Sequence, residues 1–329
     1  MEDRILEGRH ILQWHITHRC NLRCSHCYQG DYAAQMSAEE LFAALDKYER
    51  YLLSRRLQGQ VNLTGGEPLA HPDFFRLAME IRRRDMDLAV LTNGTLLTRE
   101  SAHRLALLAP LFVQISLDGC ERVHDAIRGK GSFRRALRGI DLLKAEGIRV
   151  LVSFTAQARN RRQLLPLALC CRAHGVDKLW FDRVVIPAGD DREGLSLSTE
   201  QYRRLVNAAA RLRKLTPLRG DRALQFLSFG SESCYHCGAG GELLILLADG
   251  SLMPCRRLPF VIGALGDGEL SEILENSPLM RSLREAPIPE ACSACPHASR
   301  CRGGAKCVTY AQTGRLFARD VNCWLPAEP

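Results

Sequence analysis

The chain has 329 residues, of which 46% are hydrophobic and 25% charged, as expected for a globular protein with one large domain and a smaller one. No apolar run is long enough to cross a membrane, and residues 1–10 carry charges of both signs, so neither a membrane span nor a secretory signal is expected. The formal net charge is +8, but aromatic residues make up only 6% and are not interleaved with the arginines, which argues against a nucleic-acid groove.

Cysteine is abundant, with 14 residues in the chain. Without a secretory signal, metal binding or redox work explains them better than disulfides do, and a cytoplasmic location is expected. The basic residues fall mostly on predicted helix faces. There they either solvate the surface or dock an acidic partner, such as an acidic peptide or a flavodoxin- or ferredoxin-like electron donor.

The first predicted strand, residues 11–16, leads into a loop in which Cys20, Cys24 and Cys27 are spaced C-x₃-C-x₂-C. A closed structural zinc site needs four protein ligands. A [4Fe–4S] cubane held by three thiolates instead has one iron without a protein ligand, and that iron is free to bind a small molecule. Half of a zinc site, or three unrelated buried thiols, is the alternative interpretation.

Strands and helices alternate up to about residue 215. A helix with a capping box at Ser37 and Glu40 follows the cysteine loop, and Asn160 is a candidate cap for the fifth helix. The five later strands are predicted at residues 61–63, 88–92, 112–117, 149–155 and 179–186.

Six strand–helix units in succession predict a parallel sheet with right-handed crossovers. Because six units are too few for a closed eight-fold barrel, we expect an α/β fold in the form of a partial (β/α)6 TIM-like barrel, open along one side. The alternation stops near residue 216, which predicts a barrel domain over residues 1–215 and a cysteine-rich domain over residues 216–329.

Functional residues of parallel sheets collect at the carboxyl ends of the strands. The second strand ends in Gly65-Gly66-Glu67, where glycines let the backbone come close to a ligand, although a plain turn would look the same. The fourth strand ends in Ser116 and Asp118, followed by Arg128; an ordinary surface Asp–Arg pair is the alternative. Asn160 and Arg183 are further candidates near strand ends. Cys120 lies just past the fourth strand and is either a packing thiol or a hydrogen-atom donor.

Eight cysteines lie in the C-terminal part, enough for two complete sets of four. Six of them follow a predicted two-strand hairpin around Asp249-Gly250, and C-x₂-C pairs of this kind also suit zinc. The eight are Cys234, Cys237, Cys255, Cys292, Cys295, Cys301, Cys307 and Cys323.

The cysteine loop, together with the glycine turn on the next strand, resembles the signature of the radical S-adenosylmethionine (SAM) superfamily. The resemblance implies that Cys20, Cys24 and Cys27 hold a [4Fe–4S] cluster whose open iron is chelated by SAM, which is cleaved to a 5′-deoxyadenosyl radical. It also implies cofactor contacts: His26 near the adenine, Gly65-Gly66-Glu67 at the amino group, Ser116 and Asp118 at the ribose, Arg128 at the carboxylate, and Asn160 and Arg183 as further contacts.

The C-terminal part is similar to the SPASM extension of radical SAM maturases, as Cys237, Gly250 and Cys255 illustrate. One departure is the five-residue spacing between Cys301 and Cys307, where three residues are usual. The resemblance implies two auxiliary [4Fe–4S] clusters suited to electron relay. One would take Cys234, Cys237, Cys255 and Cys307, and the other Cys292, Cys295, Cys301 and Cys323.

The expected activity is therefore that of a radical SAM oxidoreductase that modifies a peptide or protein, as a ribosomal peptide maturase does. Sulfatase maturation and modified-haem or cofactor synthesis are alternatives, as is a non-catalytic iron–sulfur or zinc protein. Only 19 residues precede Cys20, too few for the leader-binding domain of many peptide maturases. A separate leader-recognition protein is therefore an expected partner if the substrate is a peptide.

Overall fold

The computed structural model describes residues 8–190, 192–230 and 237–326, and its centre is one ten-stranded sheet. The strand order is β10-β9-β8-β1-β2-β3-β4-β5-β6-β7, and the first and last strands of this order do not pair with each other among the described residues. The sheet is therefore an unclosed barrel, which confirms the predicted fold class. The strands are β1 (Gly8–His15), β2 (Leu57–Thr64), β3 (Asp87–Thr92), β4 (Phe112–Ser116), β5 (Val150–Ala156), β6 (Lys178–Arg183), β7 (Leu218–Arg219), β8 (Leu243–Leu246), β9 (Ser251–Met253) and β10 (Gly263–Ala264).

Every pairing from β8 through β1 to β7 is parallel, whereas β8, β9 and β10 pair antiparallel. Helices α1 to α8 lie between the parallel strands, and α9 to α12 follow β10. They are α1 (Ala38–Arg55), α2 (Phe74–Arg83), α3 (Arg99–Leu107), α4 (Glu121–Arg128), α5 (Ser132–Ala145), α6 (Leu164–Ala173), α7 (Thr199–Leu212), α8 (Phe226–Phe229), α9 (Leu270–Asn276), α10 (Pro278–Glu285), α11 (Ala298–Cys301) and α12 (Lys306–Thr313).

Local signals explain where several helices begin. Ser37 accepts from the backbone N–H of Glu40, whose side chain accepts in return, so the predicted capping box of α1 is confirmed. Ser198 and Gln201 do the same for α7. The expected cap at Asn160 is wrong: the side chain makes no cap hydrogen bond, and α6 begins at Leu164.

The sheet has two chemically different faces. Alternate residues such as Trp14, Leu63 and Phe181 point toward the helices and are completely buried with Tyr48 and Tyr202 from α1 and α7. Burying each of these side chains contributes roughly 2 kcal/mol. This continuous apolar layer fixes the register of the strands, because a one-residue slip would turn it to the other face.

The other face, which we call the inner face, is polar. Gln60 donates to Asn62 at 2.7 Å, and Trp180 donates its indole N–H to Gln114 at 3.0 Å across three strands. The register places Ser116, Ser153 and Trp180 side by side on this face. A barrel that binds a polar ligand needs polar side chains facing its interior. We call the edge formed by the carboxyl ends of the strands the mouth of the barrel.

The C-terminal part extends the same sheet at both ends. β8 pairs with β1, and β7 pairs with β6, so cysteine-rich and barrel segments share one sheet. Lys47 of α1 also donates to the carbonyl oxygens of Leu265 and Gly268 at 2.5 and 3.0 Å. The predicted boundary between residues 215 and 216 stays a prediction.

The predicted sixth strand, residues 179–186, is shorter in the structure and ends at Arg183. After Val184 the chain leaves the sheet, and the Ala188 N–H donates to the Ala311 carbonyl of α12. The apolar pattern favours a longer strand, but the contact with α12 directs the chain away from the sheet. Among the described residues, no helix is both long and apolar enough to cross a membrane.

We predict that Lys47→Met weakens the docking of α9 on α1, because two carbonyl oxygens lose their donor. A loss of about 1–2 kcal/mol should lower the thermal unfolding midpoint by about 2–4 °C, measured anaerobically on the cluster-loaded protein. Lys144→Met removes the more exposed pair with Asp177 and is the matched control. An equal effect of the two substitutions would contradict the prediction.

Candidate active site

The cysteine loop lies beyond the carboxyl end of β1 and is held by the turn that follows β2. The Gly66 N–H donates to the Thr17 carbonyl at 2.7 Å, and the Glu67 N–H donates to the Arg19 carbonyl at 2.8 Å. These two backbone bonds fix the segment immediately before Cys20. The loop shape therefore depends on the neighbouring strand rather than on the loop alone.

Glycine is required for this contact. A Cβ on Gly65 would lie 2.3 Å from the Thr17 carbonyl oxygen, and one on Gly66 would lie 2.3 Å from that of Arg19. Gly65 also has a φ of +152°, which side-chain-bearing residues rarely adopt. The two glycines thus permit close approach of backbone to backbone, and their contact with a cofactor stays a prediction.

Glu67 is completely buried beneath the loop. Its carboxylate accepts from the Thr92 hydroxyl at 2.7 Å and from the Asn93 N–H at 2.8 Å. Burial raises the pKa of Glu67, and these hydrogen bonds oppose the rise. Glu67 therefore ties the end of β2 to the end of β3, where the Asn93 amide lies 3.9 Å from the Cys20 sulfur.

Asp118 and Arg128 form a buried ion pair under the second cysteine. Arg128 Nε donates to Asp118 at 2.6 Å, and the Thr155 N–H donates to the other carboxylate oxygen at 2.9 Å. Burial alone would raise the pKa of Asp118, but the Arg128 guanidinium, His26 and the hydrogen bonds from Thr155 and Arg128 together outweigh burial, and the pKa lies below its usual range. Arg128 also lies 3.9 Å from the Cys24 sulfur through Nη1, so it puts positive charge beside that thiol.

His26 lies against the same ion pair, with Nε2 3.7 Å from the Asp118 carboxylate. Burial lowers the pKa of His26 to about 4, so the imidazole is neutral at pH 7. Its Nδ1 is buried without a hydrogen-bond partner in the part of the chain that the structure describes. An unsatisfied ring nitrogen of this kind suits a polar ligand, as the predicted adenine contact requires.

The remaining candidates are spread around the mouth. The Ser116 hydroxyl lies 3.3 Å from that of Ser153 on the inner face. Asn160 is buried and donates to the carbonyl oxygens of Asp118 and Thr155. Cys120 begins α4, and burial raises the pKa of its thiol, which keeps it protonated.

Arg183 lies away from the cysteine loop. Its two terminal nitrogens donate to Asp320 at 2.6 and 2.9 Å, and its guanidinium lies 4.4 Å from the centre of the Tyr202 ring. Both members of this ion pair are buried. The terminal nitrogens of Arg183 are thus engaged on the helix-facing side of β6, and its expected cofactor contact stays a prediction.

The three loop thiols fit a cluster better than they fit one ion. Burial raises the pKa of Cys20 and Cys24, and the thiol of Cys27 contributes to both shifts, so the three lie near one another. Yet no three His, Cys, Asp or Glu side chains in the described ranges are grouped closely enough for a single metal ion. Three neighbouring thiols beside a buried guanidinium are chemically suited to the thiolate ligation and negative charge of an iron–sulfur cubane.

Cys237, Cys255 and Cys307 pack into a second buried group with Leu258. Burial raises the pKa of Cys307 to about 12, and Arg257 opposes this rise more than any other neighbouring group. The expected fourth member of this set, Cys234, lies outside the described residues. The unusual spacing before Cys307 therefore does not keep it away from its expected partners.

The other four cysteines, Cys292, Cys295, Cys301 and Cys323, line one cavity. Arg319 donates to the Cys323 sulfur at 3.5 Å and lines the same cavity. Asp320, the partner of Arg183, accepts from the Ala305 N–H at 2.9 Å and also borders the cavity. The resemblance implied this grouping of four, and the four side chains lie around one space, while their ligation of a cluster stays a prediction.

Consecutive residues at the end of β6 connect to both cysteine groups. On the inner face, Asp182 accepts from Arg257 at 2.5 Å, two residues beyond Cys255. On the helix-facing side, Arg183 holds Asp320, three residues before Cys323. Neighbouring residues of a strand point to opposite faces of the sheet. The end of β6 therefore connects to one cysteine group through Asp182 and to the other through Arg183.

An unclosed parallel barrel with a three-thiol loop at its mouth and two further cysteine groups defines the architecture of a radical SAM protein with an iron–sulfur extension. The sequence profile of the Radical SAM superfamily matches residues 14–156, and that of the SPASM iron–sulfur cluster-binding domain matches residues 237–296. The chain belongs to the radical SAM superfamily and is an enzyme of the oxidoreductase type, with SAM and iron–sulfur clusters as its cofactors.

Known relatives span nearly the whole chain. It is 30% identical to the mycofactocin maturase MftC of Mycobacterium tuberculosis (strain ATCC 25618 / H37Rv), over 98% of this chain and 84% of the relative. It is 29% identical to the pre-heme d1 synthase of Dinoroseobacter shibae, over 98% and 89%. The solved structure of native anSMEcpe with bound AdoMet and Cp18Cys peptide has a TM-score of 0.79 at 20% identity, over 96% of this chain and 94% of that one.

Sequence reasoning missed the charged residues that connect these groups, namely Asp182, Arg256, Arg257 and Asp320. Arg256 and Arg257 follow Cys255 directly, which was a signal that cations adjoin a thiolate site. Asp182 and Asp320 carried no local signal, because their partners lie 75 and 137 residues away in the chain.

We predict that Gly66→Ala prevents the cysteine loop from forming, because the new Cβ would overlap the Arg19 carbonyl. Iron and sulfide per chain should fall by about a third after anaerobic reconstitution, since one cluster of three is lost. Gly30→Ala, in the same loop but with open space around it, is the control and should keep its iron. Full iron content in Gly66→Ala would refute the steric argument.

We predict that Asp320→Asn destabilises the protein by about 3 kcal/mol or more, because it leaves the Arg183 guanidinium buried without a counter-ion. The thermal unfolding midpoint should fall, and so should the iron bound by the last cysteine group. Asp221→Asn removes the exposed partner of Lys178 on the same strand and should change neither quantity. Parallel behaviour of these two variants would show that the buried pair does not support the site.

Proposed function

We propose that this radical SAM enzyme oxidatively modifies a peptide or protein, as a ribosomal peptide maturase does. The observation that carries the proposal is the 30% identity to a maturase along nearly the entire chain, joined to a complete three-thiol loop and two further cysteine groups. The likeness in fold to a protein solved with a bound peptide supports a mouth wide enough for such a substrate.

In this proposal, Cys20, Cys24 and Cys27 hold the SAM-binding cluster. The packing of Cys237, Cys255 and Cys307 favours one auxiliary cluster, with Cys234 as its fourth ligand. The cavity bounded by Cys292, Cys295, Cys301 and Cys323 favours the other. Four thiolates in each auxiliary set leave no open coordination position, which favours electron transfer over substrate capture.

Around the cofactor, the half-buried Ser116 hydroxyl and the neutral His26 ring are the proposed contacts to ribose and adenine. Gly65 and Gly66 offer backbone at the amino group of SAM. We propose that Asp118 and Arg128 act mainly on each other, since both carboxylate oxygens already accept hydrogen bonds. Arg128 then orients the loop and places positive charge beside Cys24.

Reductive cleavage of SAM at such a cluster gives methionine and a 5′-deoxyadenosyl radical, which takes a hydrogen atom from an unactivated C–H bond. The chain supplies placement and exclusion of water. Buried Glu67 and Asn93 brace the loop from below, while the polar inner face of the barrel receives the substrate. A flavodoxin- or ferredoxin-like protein is the proposed electron donor, and a separate leader-recognition protein is a proposed partner.

Modification of a tetrapyrrole is the second candidate, favoured by the 29% identity to a pre-heme d1 synthase over 98% of the chain. Both reactions need the same cofactor site and differ only in what enters the mouth. A reading frame for a short peptide beside the gene would favour the first candidate, and neighbouring haem-synthesis genes would favour the second.

The deciding experiment incubates dithionite-reduced, reconstituted enzyme with SAM and measures 5′-deoxyadenosine by liquid chromatography. Wild type should release it, whereas Cys27→Ala should release none. Cys255→Ala should lose auxiliary iron and turnover of a peptide substrate while still binding SAM. The peptide encoded beside the gene and coproporphyrin III are then supplied separately, and a mass change identifies the substrate.

Two results would count against this function. Wild-type protein that binds zinc in place of iron and sulfide, or that releases no 5′-deoxyadenosine, would refute the radical chemistry. Unchanged iron in Cys255→Ala would refute the assignment of that residue.

A further inference from the structure

Two arginine side chains at the mouth of the barrel have donors that the described residues do not satisfy. The Nε atoms of Arg222 and Arg256 are buried, and neither has a hydrogen-bond partner in the described parts of the chain. Folded proteins pair nearly all buried donors, because an unpaired one forfeits its hydration without compensation. Each of these two groups therefore indicates an acceptor beyond the residues that the structure describes.

Arg256 lies between two of the cysteine groups. It follows Cys255 in the chain, and its guanidinium lies 4.6 Å from the centre of the Tyr28 ring, next to Cys27. Tyr28 is 54% exposed, so this side of the Arg256 guanidinium lies close to solvent. Because Arg256 adjoins Cys255 and lies against the ring of Tyr28, which adjoins Cys27, it lies between the cysteine loop and the second cysteine group.

Arg222 lies on the neighbouring part of the mouth. Its guanidinium lies 4.2 Å from the centre of the Trp180 ring on the inner face of β6. The Trp180 ring is itself fixed by its hydrogen bond to Gln114. Contact with the face of the ring orients the guanidinium but satisfies none of its N–H donors.

The nearby protein charges do not neutralise these two cations. Asp182 is the carboxylate that faces Arg222, but Arg257 already occupies it at 2.5 Å. His15 faces Arg256 and carries no charge, because burial and that arginine together lower its pKa to about 3. Among the described residues, neither Arg222 nor Arg256 forms an ion pair, so both cations are available to an anionic ligand.

We infer that Arg222 and Arg256 bind a carboxylate group of the substrate and so orient the substrate between the cysteine loop and the second cysteine group. The inference rests on the proposed function for the existence of a substrate, and it adds that the portion of the substrate entering the mouth is anionic. A planar guanidinium matches a carboxylate with two parallel hydrogen bonds. Peptides and tetrapyrroles both carry carboxylates, so the chemistry applies to either candidate.

The test measures binding of paired probes to anaerobic, cluster-loaded enzyme in the presence of SAM. One pair is acetyl-Gly-Glu-Ala-Tyr-Glu-amide and its Gln counterpart; the other is coproporphyrin III and its tetraamide. Wild type should bind the carboxylate form of at least one pair about tenfold more tightly. Arg256→Gln and Arg222→Gln should each lose most of that preference, and Arg256→Lys should retain part of it, because the charge remains without the planar fork.

The control is Arg104→Gln, which removes an arginine stacked 3.7 Å from the Phe75 ring on the helical layer, remote from the mouth. It should keep the wild-type preference. Iron and sulfide per chain establish that each variant is folded and loaded. A preference that survives in both Arg256→Gln and Arg222→Gln, or that is absent from wild type for both pairs, overturns the inference.

The carboxylate of SAM is the rival ligand, and a second measurement separates the two. Release of 5′-deoxyadenosine without substrate should keep its wild-type KM for SAM in Arg256→Gln and Arg222→Gln. A tenfold rise in that KM would assign the arginines to the cofactor and overturn the inference while leaving the proposed function intact. Absence of 5′-deoxyadenosine from wild type would instead overturn the proposed function, and the probe preference would still report on the arginines.

Discussion

The close contact of two backbones at the mouth of the barrel is the constraint on which the site depends. Gly65 and Gly66 let the turn after β2 lie against Thr17 and Arg19, where no Cβ would fit. Two hydrogen bonds then determine the path of the chain into Cys20. The geometry of the thiols is thus set by the sheet, whose register is set by the apolar layer under the helices. Packing of the apolar core therefore determines the geometry of the loop that is proposed to bind the cofactor.

A second constraint is electrostatic. The ion pairs Asp118–Arg128 and Arg183–Asp320 are buried, and Asp182–Arg257 is partly buried. Each adjoins a cysteine group: Arg128 lies 3.9 Å from the Cys24 sulfur, and Arg257 and Asp320 lie two and three residues from Cys255 and Cys323 in the chain. Buried ion pairs contribute little net stability, because desolvation offsets much of the attraction, but removing one partner is costly. The role of these ion pairs in this fold is therefore to hold segments of the chain in place. They fix the orientation of loops that carry thiols and that have few apolar residues of their own to anchor them.

The sequence predicted those features of the structure that depend on local patterns of residues. The alternation of apolar segments predicted the six strands of the barrel, and Ser37 and Glu40 predicted the start of α1. The cysteine spacings predicted three groups of thiols. It did not predict that Asp320 would hold Arg183, because such pairs follow from the tertiary fold. The prediction that Asn160 caps a helix was wrong, because the Asn160 amide instead donates to carbonyl oxygens at the ends of two strands.

The position of β1 in the sheet has a consequence for how the enzyme is made. β1 leaves the ribosome long before β8, which begins only at Leu243 and covers one of the two edges of β1. Until then the nascent barrel presents an unpaired row of backbone donors and acceptors beside the strand that leads to the cysteine loop. A chain shortened before Leu243 would keep that edge open and self-associate. The cysteine-rich third thus protects the barrel during synthesis as well as completing it.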